Sequence, residues 1–173
     1  MREEQQRGAE KPGTHTQLYE QTLHALHAIA AGDELFVSYL DVGLASAERR
    51  RRIQAKFGFD CHCGLCALSG AERAASDVRQ ERLAAIASRL AQLESTDAAI
   101  IKLTTERMRL LDREGLPRAW AYNDVIRCFN HWCTKGAYVK ARGVMLEAIA
   151  HCELLFGDDA KTVRDLRDII EER

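Results

Sequence analysis

Proline is nearly absent from this chain, with Pro12 and Pro117 the only two in 173 residues, and aromatic residues make up just 6%. Both scarcities lean toward helix. No apolar run approaches the roughly 18 residues that a transmembrane helix needs. Met1 to Pro12 is charged and lacks an apolar stretch, which argues against a secretory signal. Neither sign of charge dominates: 25 basic and 26 acidic residues leave a formal net charge of −1. No global field therefore draws the chain to nucleic acid or anionic lipid. What is present is the balance of a soluble globular protein, 46% hydrophobic and 29% charged. That balance excludes a wholly disordered, collagen-like or mucin-like chain. The length suits one ordinary domain or two small ones.

Six cysteines occur, and three of them fall within six residues as Cys61-His62-Cys63-Gly64-Leu65-Cys66. Cys128, Cys133 and Cys152 are scattered through helical-looking sequence. A secreted disulfide scaffold is normally shorter and more evenly studded, so a reducing, intracellular compartment (nucleus or cytoplasm) is expected. Zinc requires soft, deprotonated ligands in a tetrahedral array, and a Cys-x-Cys-x-x-Cys turn offers three corners, with Gly64 expected to let the backbone fold around the ion. The fourth corner is left open among His62, Cys128, Cys133 and Cys152.

Along the chain, residues 1–20 read as a flexible polar tail. Thr22–Ala25 and Glu34–Tyr39 read as short strands, with a turn at Gly32-Asp33 between them. Ser46 is a candidate N-cap for a basic helix ending at Phe57, with Gly58 as its left-handed stop. The run Arg49 to Arg52 in that helix reads as a solvated face. From Glu72 the pattern is almost purely helical, over about 72–94, 97–112, 118–133, 138–156 and 159–171. In the first of these Val78, Leu83, Ile86, Leu90 and Leu93 form the apolar series. Gly115 and Pro117 break the series of helices. Gly136, Tyr138, Ala141, Met145 and Ala148, preceded by Val125, Phe129 and Trp132, fit one tetratricopeptide-like unit or equally a generic helical hairpin.

Ile29-Ala30-Ala31-Gly32-Asp33-Glu34-Leu35-Phe36-Val37-Ser38-Tyr39-Leu40-Asp41 resembles the last motif of the SET domain, the fold of many protein-lysine methyltransferases. An arginine-rich helix and Phe57-Gly58-Phe59-Asp60-Cys61-His62-Cys63-Gly64-Leu65-Cys66 follow, similar to the post-SET segment of the SET-and-MYND subgroup and its fungal relatives. The resemblance covers Thr22 to Ala67 and is loose over the later helices. It implies that Tyr39 lies beside the methyl-transfer site and that Phe59 packs against the adenine of S-adenosylmethionine. It also implies that Cys61, Cys63 and Cys66 are zinc ligands.

The expected fold is an α-rich α+β chain: the C-terminal part of a SET domain over 21–58, a post-SET zinc segment over 59–69, and a tetratricopeptide-like helical domain over 70–173. A SET enzyme also needs a Gly-rich cofactor segment and an Asn-His-x-Cys motif ahead of the tyrosine strand, and neither precedes Tyr39 here. Asn130-His131-Trp132-Cys133 has the right letters in the wrong place, and the paired cysteines and histidines of a MYND module are absent. The chain accordingly reads as a member or fragment of a lysine methyltransferase, truncated at the N-terminus and inactive alone. The competing reading is a non-catalytic helical module that binds a protein or peptide partner, with no membrane or nucleic-acid role. No Ser-His-Asp order, phosphate loop or carboxylate pair stands out.

Overall fold

The computed structural model describes residues 24–25, 28–35, 37–94 and 97–171. Seven α-helices follow one another among these: α1 (Ser46–Phe57), α2 (Gly64–Ala67), α3 (Gly70–Ala91), α4 (Ala99–Arg113), α5 (Tyr122–Thr134), α6 (Tyr138–Phe156) and α7 (Lys161–Glu171). A 3₁₀ turn, Arg118–Ala121, leads into α5 behind Pro117. The α-rich expectation holds, and the β part of it is corrected: no strand occurs among the described residues. Thr22, Leu23 and Phe36 lie outside them, as does the tail 1–20. The remainder of 34–39 has no regular structure, with Leu35 71% and Val37 53% exposed. Alternation dictates which face a side chain takes, but a strand is stabilised by a neighbour's ladder, and no described residue supplies one.

Each long helix packs chiefly against its neighbours in sequence, α3 on α4, α4 on α5, α5 on α6 and α6 on α7. The core is therefore a row of adjoining clusters. Ile86 and Leu90 of α3, Ile100 of α4 and Cys128 of α5 form one. Phe129, Ala141, Met145, Ile149, Cys152, Val163 and Leu166 join α5, α6 and α7 in another. Each of the larger aliphatic side chains buried there contributes about 1.5–3 kcal/mol. Val78, counted with the apolar series of α3 by spacing, is instead 66% exposed, because α4 covers only the face carrying Leu83, Ile86 and Leu90. The α5–α6 hairpin turns at Gly136, whose φ of 67° is the left-handed conformation that glycine adopts without strain. Its buried positions, Val125, Phe129, Ala141, Met145 and Ala148, match the sequence reading, whereas Tyr138 is 60% exposed.

Polar ties join the segment before α1 to this helical row. The Glu114 carboxylate, just past α4, is fully buried and accepts from Ser76 Oγ at 2.6 Å and Gln80 Nε2 at 2.8 Å. Arg79 pairs with its other oxygen. Gln80 passes the connection on, its Oε1 accepting from the Gly43 N–H at 2.9 Å. Gly43 has φ 91°, and a Cβ there would lie 3.0 Å from that of Ala84, so a glycine lets the backbone lie flat on α3. Ser46 turns out not to cap α1. It is the first helical residue after Ala45, and both its N–H (2.6 Å) and its hydroxyl (2.8 Å) donate to Asp77 of α3. At the other end of α3, Arg127 of α5 donates to the carbonyls of Leu90 (2.7 Å) and Leu93, filling acceptors that a helix terminus leaves open.

Glu114→Ala removes the acceptor of three donors at a buried position. It is expected to cost about 3 kcal/mol and to lower the thermal midpoint by roughly 6–12 °C. Melting followed by circular dichroism checks this, and an unchanged midpoint would show that the carboxylate ties nothing together.

Candidate metal centre and aromatic cleft

Cys61 and Cys63 are half-buried and Cys66 is buried, and their sulfur atoms all lie within 4.8 Å of one another. A tetrahedral thiolate site with bonds of about 2.3 Å separates its sulfurs by about 3.8 Å, so the three are already gathered to nearly the spacing a zinc ion asks for. The short helix α2 does the gathering: Cys63 stands just before it, Cys66 lies inside it, and the Ala67 N–H donates to the Cys63 carbonyl at 2.9 Å. Gly64 has no positive φ, and a Cβ there would meet open space, so the turn does not depend on glycine at that position. His62 is exposed and stands outside the group. The other three thiols are corrected as ligand candidates. Cys128 is buried between α3, α4 and α5 with its sulfur 3.9 Å from the Ile100 carbonyl, Cys152 is buried between α6 and α7, and Cys133 packs against that same cluster. All six thiols are free.

The arginine run also proves different from a solvated face. Arg49 is buried and donates to the carbonyls of Leu44 (2.6 Å) and Leu65 (3.3 Å). Arg50 donates to the Cys66 carbonyl at 2.7 Å. Two consecutive arginines thus hold the cysteine loop by its backbone, while Arg51 and Arg52 point outward and share Glu48. Their hydrogen bonds hold the Glu48 carboxyl down at about 2.

The thiols are electrostatically unequal. Burial opposes ionisation of Cys63, but hydrogen bonding from Cys66, Cys61 and the Leu65 backbone outweighs it and brings this thiol below its ordinary value. Burial and then the charge on Cys63 push Cys66 up to about 11. Two like-charged sulfurs this close do not ionise together without a cation between them.

Tyr39 is 45% exposed, and its ring meets Phe59 edge-on with centroids 5.3 Å apart. Phe57, which the sequence reading passed over, completes the cluster at 5.0 Å from Tyr39. Its position at the end of α1, two residues before Phe59, is the signal that could have found it. A small cavity of about 90 Å³ borders Tyr39, Cys61, Cys63 and Cys66 together, so the tyrosine and the thiols share one neighbourhood. Asn130-His131-Trp132-Cys133 lies on α5, with His131 buried beside Trp132.

No protein-family profile matches the chain. Curated proteins do. Histone-lysine N-methyltransferase set5 of Schizosaccharomyces pombe is 36% identical over 64 residues, 36% of this chain and 20% of that protein. Histone-lysine N-methyltransferase Smyd1 of Mus musculus is 46% identical over 52 residues, 30% of this chain and 10% of that protein. The mouse SMYD3 enzyme is 41% identical over 44 residues. Part of this chain is SET-and-MYND-like. The chain spans between a tenth and a fifth of the length of these relatives.

In chelator-treated protein near neutral pH, iodoacetamide is expected to alkylate Cys63 before Cys66, because the thiolate is the nucleophile and the lower thiol holds more of it. Peptide mapping by mass spectrometry reads the order, and Cys66 reacting first would contradict it.

Proposed function

We propose that these residues are the tyrosine-bearing end and post-SET segment of a SET-type protein-lysine N-methyltransferase that uses S-adenosylmethionine, acting in the nucleus or cytoplasm on a protein substrate. The observation that carries this reading is the adjacency of Tyr39, Phe59 and the three thiols, in a chain whose matched relatives are histone-lysine methyltransferases. In this reading 21–58 is the C-terminal part of the SET unit, 59–69 the zinc segment and 70–173 a tetratricopeptide-like domain. S-adenosylmethionine, when bound, supplies the methyl group. The chain's own residues position and enclose. Tyr39 orients the lysine amine, a role suited to a reaction driven by placement and local electrostatics. Phe59, held between Tyr39 and Phe57, offers a ring face to an adenine. In this reading residues 1–173 by themselves are expected to transfer no methyl group.

Zinc on Cys61, Cys63 and Cys66 suits their spacing and their reduced state, and it would fasten the segment that begins at Phe59. One zinc per chain is expected after dialysis, with a thiolate-to-metal absorption band on cobalt substitution. Cys66→Ser should abolish the band and the retention. A chain that retains no metal would overturn the zinc assignment. Binding must displace the Cys66 proton, held at about 11 without metal, so affinity falls as pH falls. Pulling against Zn²⁺ with a chelator at several pH values reads the sign.

For the division of labour, purified residues 1–173 are incubated with isotopically labelled S-adenosylmethionine and core histones. No label should transfer, and turnover would defeat that part of the reading. The row of successive helices favours a second reading, a non-catalytic interaction module, in which the same chain has a saturable protein partner and no cofactor affinity.

A further inference from the structure

Helix α6 is apolar on two opposite faces. Ala141, Met145, Ala148, Ile149 and Cys152 form the buried one. Opposite them, at spacings of four, three and four residues, stand Val139, Gly143, Leu146 and Ala150, all exposed. Val139 is 88% and Leu146 47% exposed, and Leu154 carries the stripe one turn further. A helix that is apolar all round is stable when both faces are covered. Gly143 adds a second observation. It lies in mid-helix without a left-handed φ, and a Cβ there would meet nothing within 4 Å. Glycine weakens a helix interior relative to alanine, and no neighbour among the described residues requires its smallness. What it supplies is room for another surface to approach the α6 backbone closely. Lys140 and Glu147 flank the stripe on one side, seven residues apart; Lys140 lies over the Trp132 ring, and Glu147 meets Arg118 and His151.

We propose that this stripe docks on α6 of a second copy of the chain, the two helices running antiparallel about a two-fold axis. Side-chain size selects the orientation. With the axis between positions 144 and 145, Leu146 comes level with Gly143 of the second copy, and Val139 level with its Ala150. Each large side chain meets a small one, and symmetry makes every contact twice. The same register sets Lys140 and Glu147 of the second copy on one flank, about 3 Å apart along the axis, as an opposite-charge pair. A parallel pairing instead sets Leu146 against Leu146 and leaves Gly143 facing Gly143 across a gap. The footprint of the 19-residue helix is roughly 300 Å² per copy. That is small beside the roughly 1,200 Å² of a stable complex, so the dimer is weak and concentration-dependent. The proposal goes beyond the methyltransferase reading and stands whether or not Tyr39 serves a transfer site.

Sedimentation equilibrium of residues 1–173 in reductant, from about 10 μM to 1 mM, reads the assembly. A monomer–dimer equilibrium is expected with no larger species, because a two-fold contact closes on itself. Leu146→Asp puts a charge at the centre of the contact and should weaken dimerisation about tenfold or more. Gly143→Leu is the sharper variant. It adds apolar surface and removes a helix-weakening glycine, yet it fills the space that Leu146 of the second copy occupies. It should therefore also weaken the dimer about tenfold, while its melting by circular dichroism stays at or above that of the unsubstituted chain. Lys140→Glu should cost about threefold at low salt and less at high salt. If Leu146→Asp does not fold, Gly143→Leu decides. A chain that stays monomeric throughout, or species larger than a dimer that grow with concentration, would overturn the proposal. So would a Gly143→Leu chain that associates as tightly as its parent or more so, because that marks unspecific adhesion of apolar surface. Insensitivity to Lys140→Glu at low salt would overturn the antiparallel register.

Discussion

One buried carboxylate sets the relation between the two ends of this molecule. Glu114 gains nothing from solvent, so its charge rests on Ser76, Arg79 and Gln80. Those three residues come from adjacent turns of α3, and meeting them fixes the angle at which α4 ends. Gln80 is oriented by the same contact, which leaves its carbonyl oxygen free for Gly43. A hydrophobic interface alone would let the segment before α1 slide along α3, because dispersion is non-directional. The hydrogen-bonded chain from Glu114 through Gln80 to Gly43 does not permit that sliding.

From that anchorage α1 takes up a position with two different faces. Arg49 and Ile53 are buried, and Arg49 with Arg50 reaches the carbonyls of the cysteine loop. Arg51, Arg52 and Lys56 line an open cleft. The four consecutive arginines are therefore two pairs with different work: one pair satisfies backbone acceptors and the other supplies an exposed field. Tyr39 and the rings of Phe57 and Phe59 lie where the two regions meet.

Much of this was legible in the residues. The helices after Glu72 followed from apolar spacing, and the stop of α1 at Gly58 followed from glycine's tolerance of the left-handed conformation, seen at φ 73°. The thiol cluster was visible from spacing alone, because neighbours within six residues of a turn cannot be far apart. What escaped were features made by distant parts of the chain. The strand expected over 34–39 is absent among the described residues because pairing is a property of two segments. Ser46 looked like a cap because local sequence does not show that Asp77, thirty-one residues later, waits for its hydroxyl. Arg49 looked solvated because its acceptors are backbone carbonyls, which carry no sequence signature.

The order in which the helices touch has a consequence for how the molecule fails. Each long helix leans on the one before and the one after, so cohesion is a sum of neighbouring interfaces in a nearly one-dimensional row. Among the described residues α7 packs chiefly on α6, through Val163, Leu166 and the partly buried Ile170, with Arg167 paired to Glu153. Heat or denaturant applied to such a row peels it from its ends inward. The thiols sit at the other end, where α1 touches α2 and is tied to α3 by the hydrogen bonds of Ser46 to Asp77, so they too stand beside an end of the row.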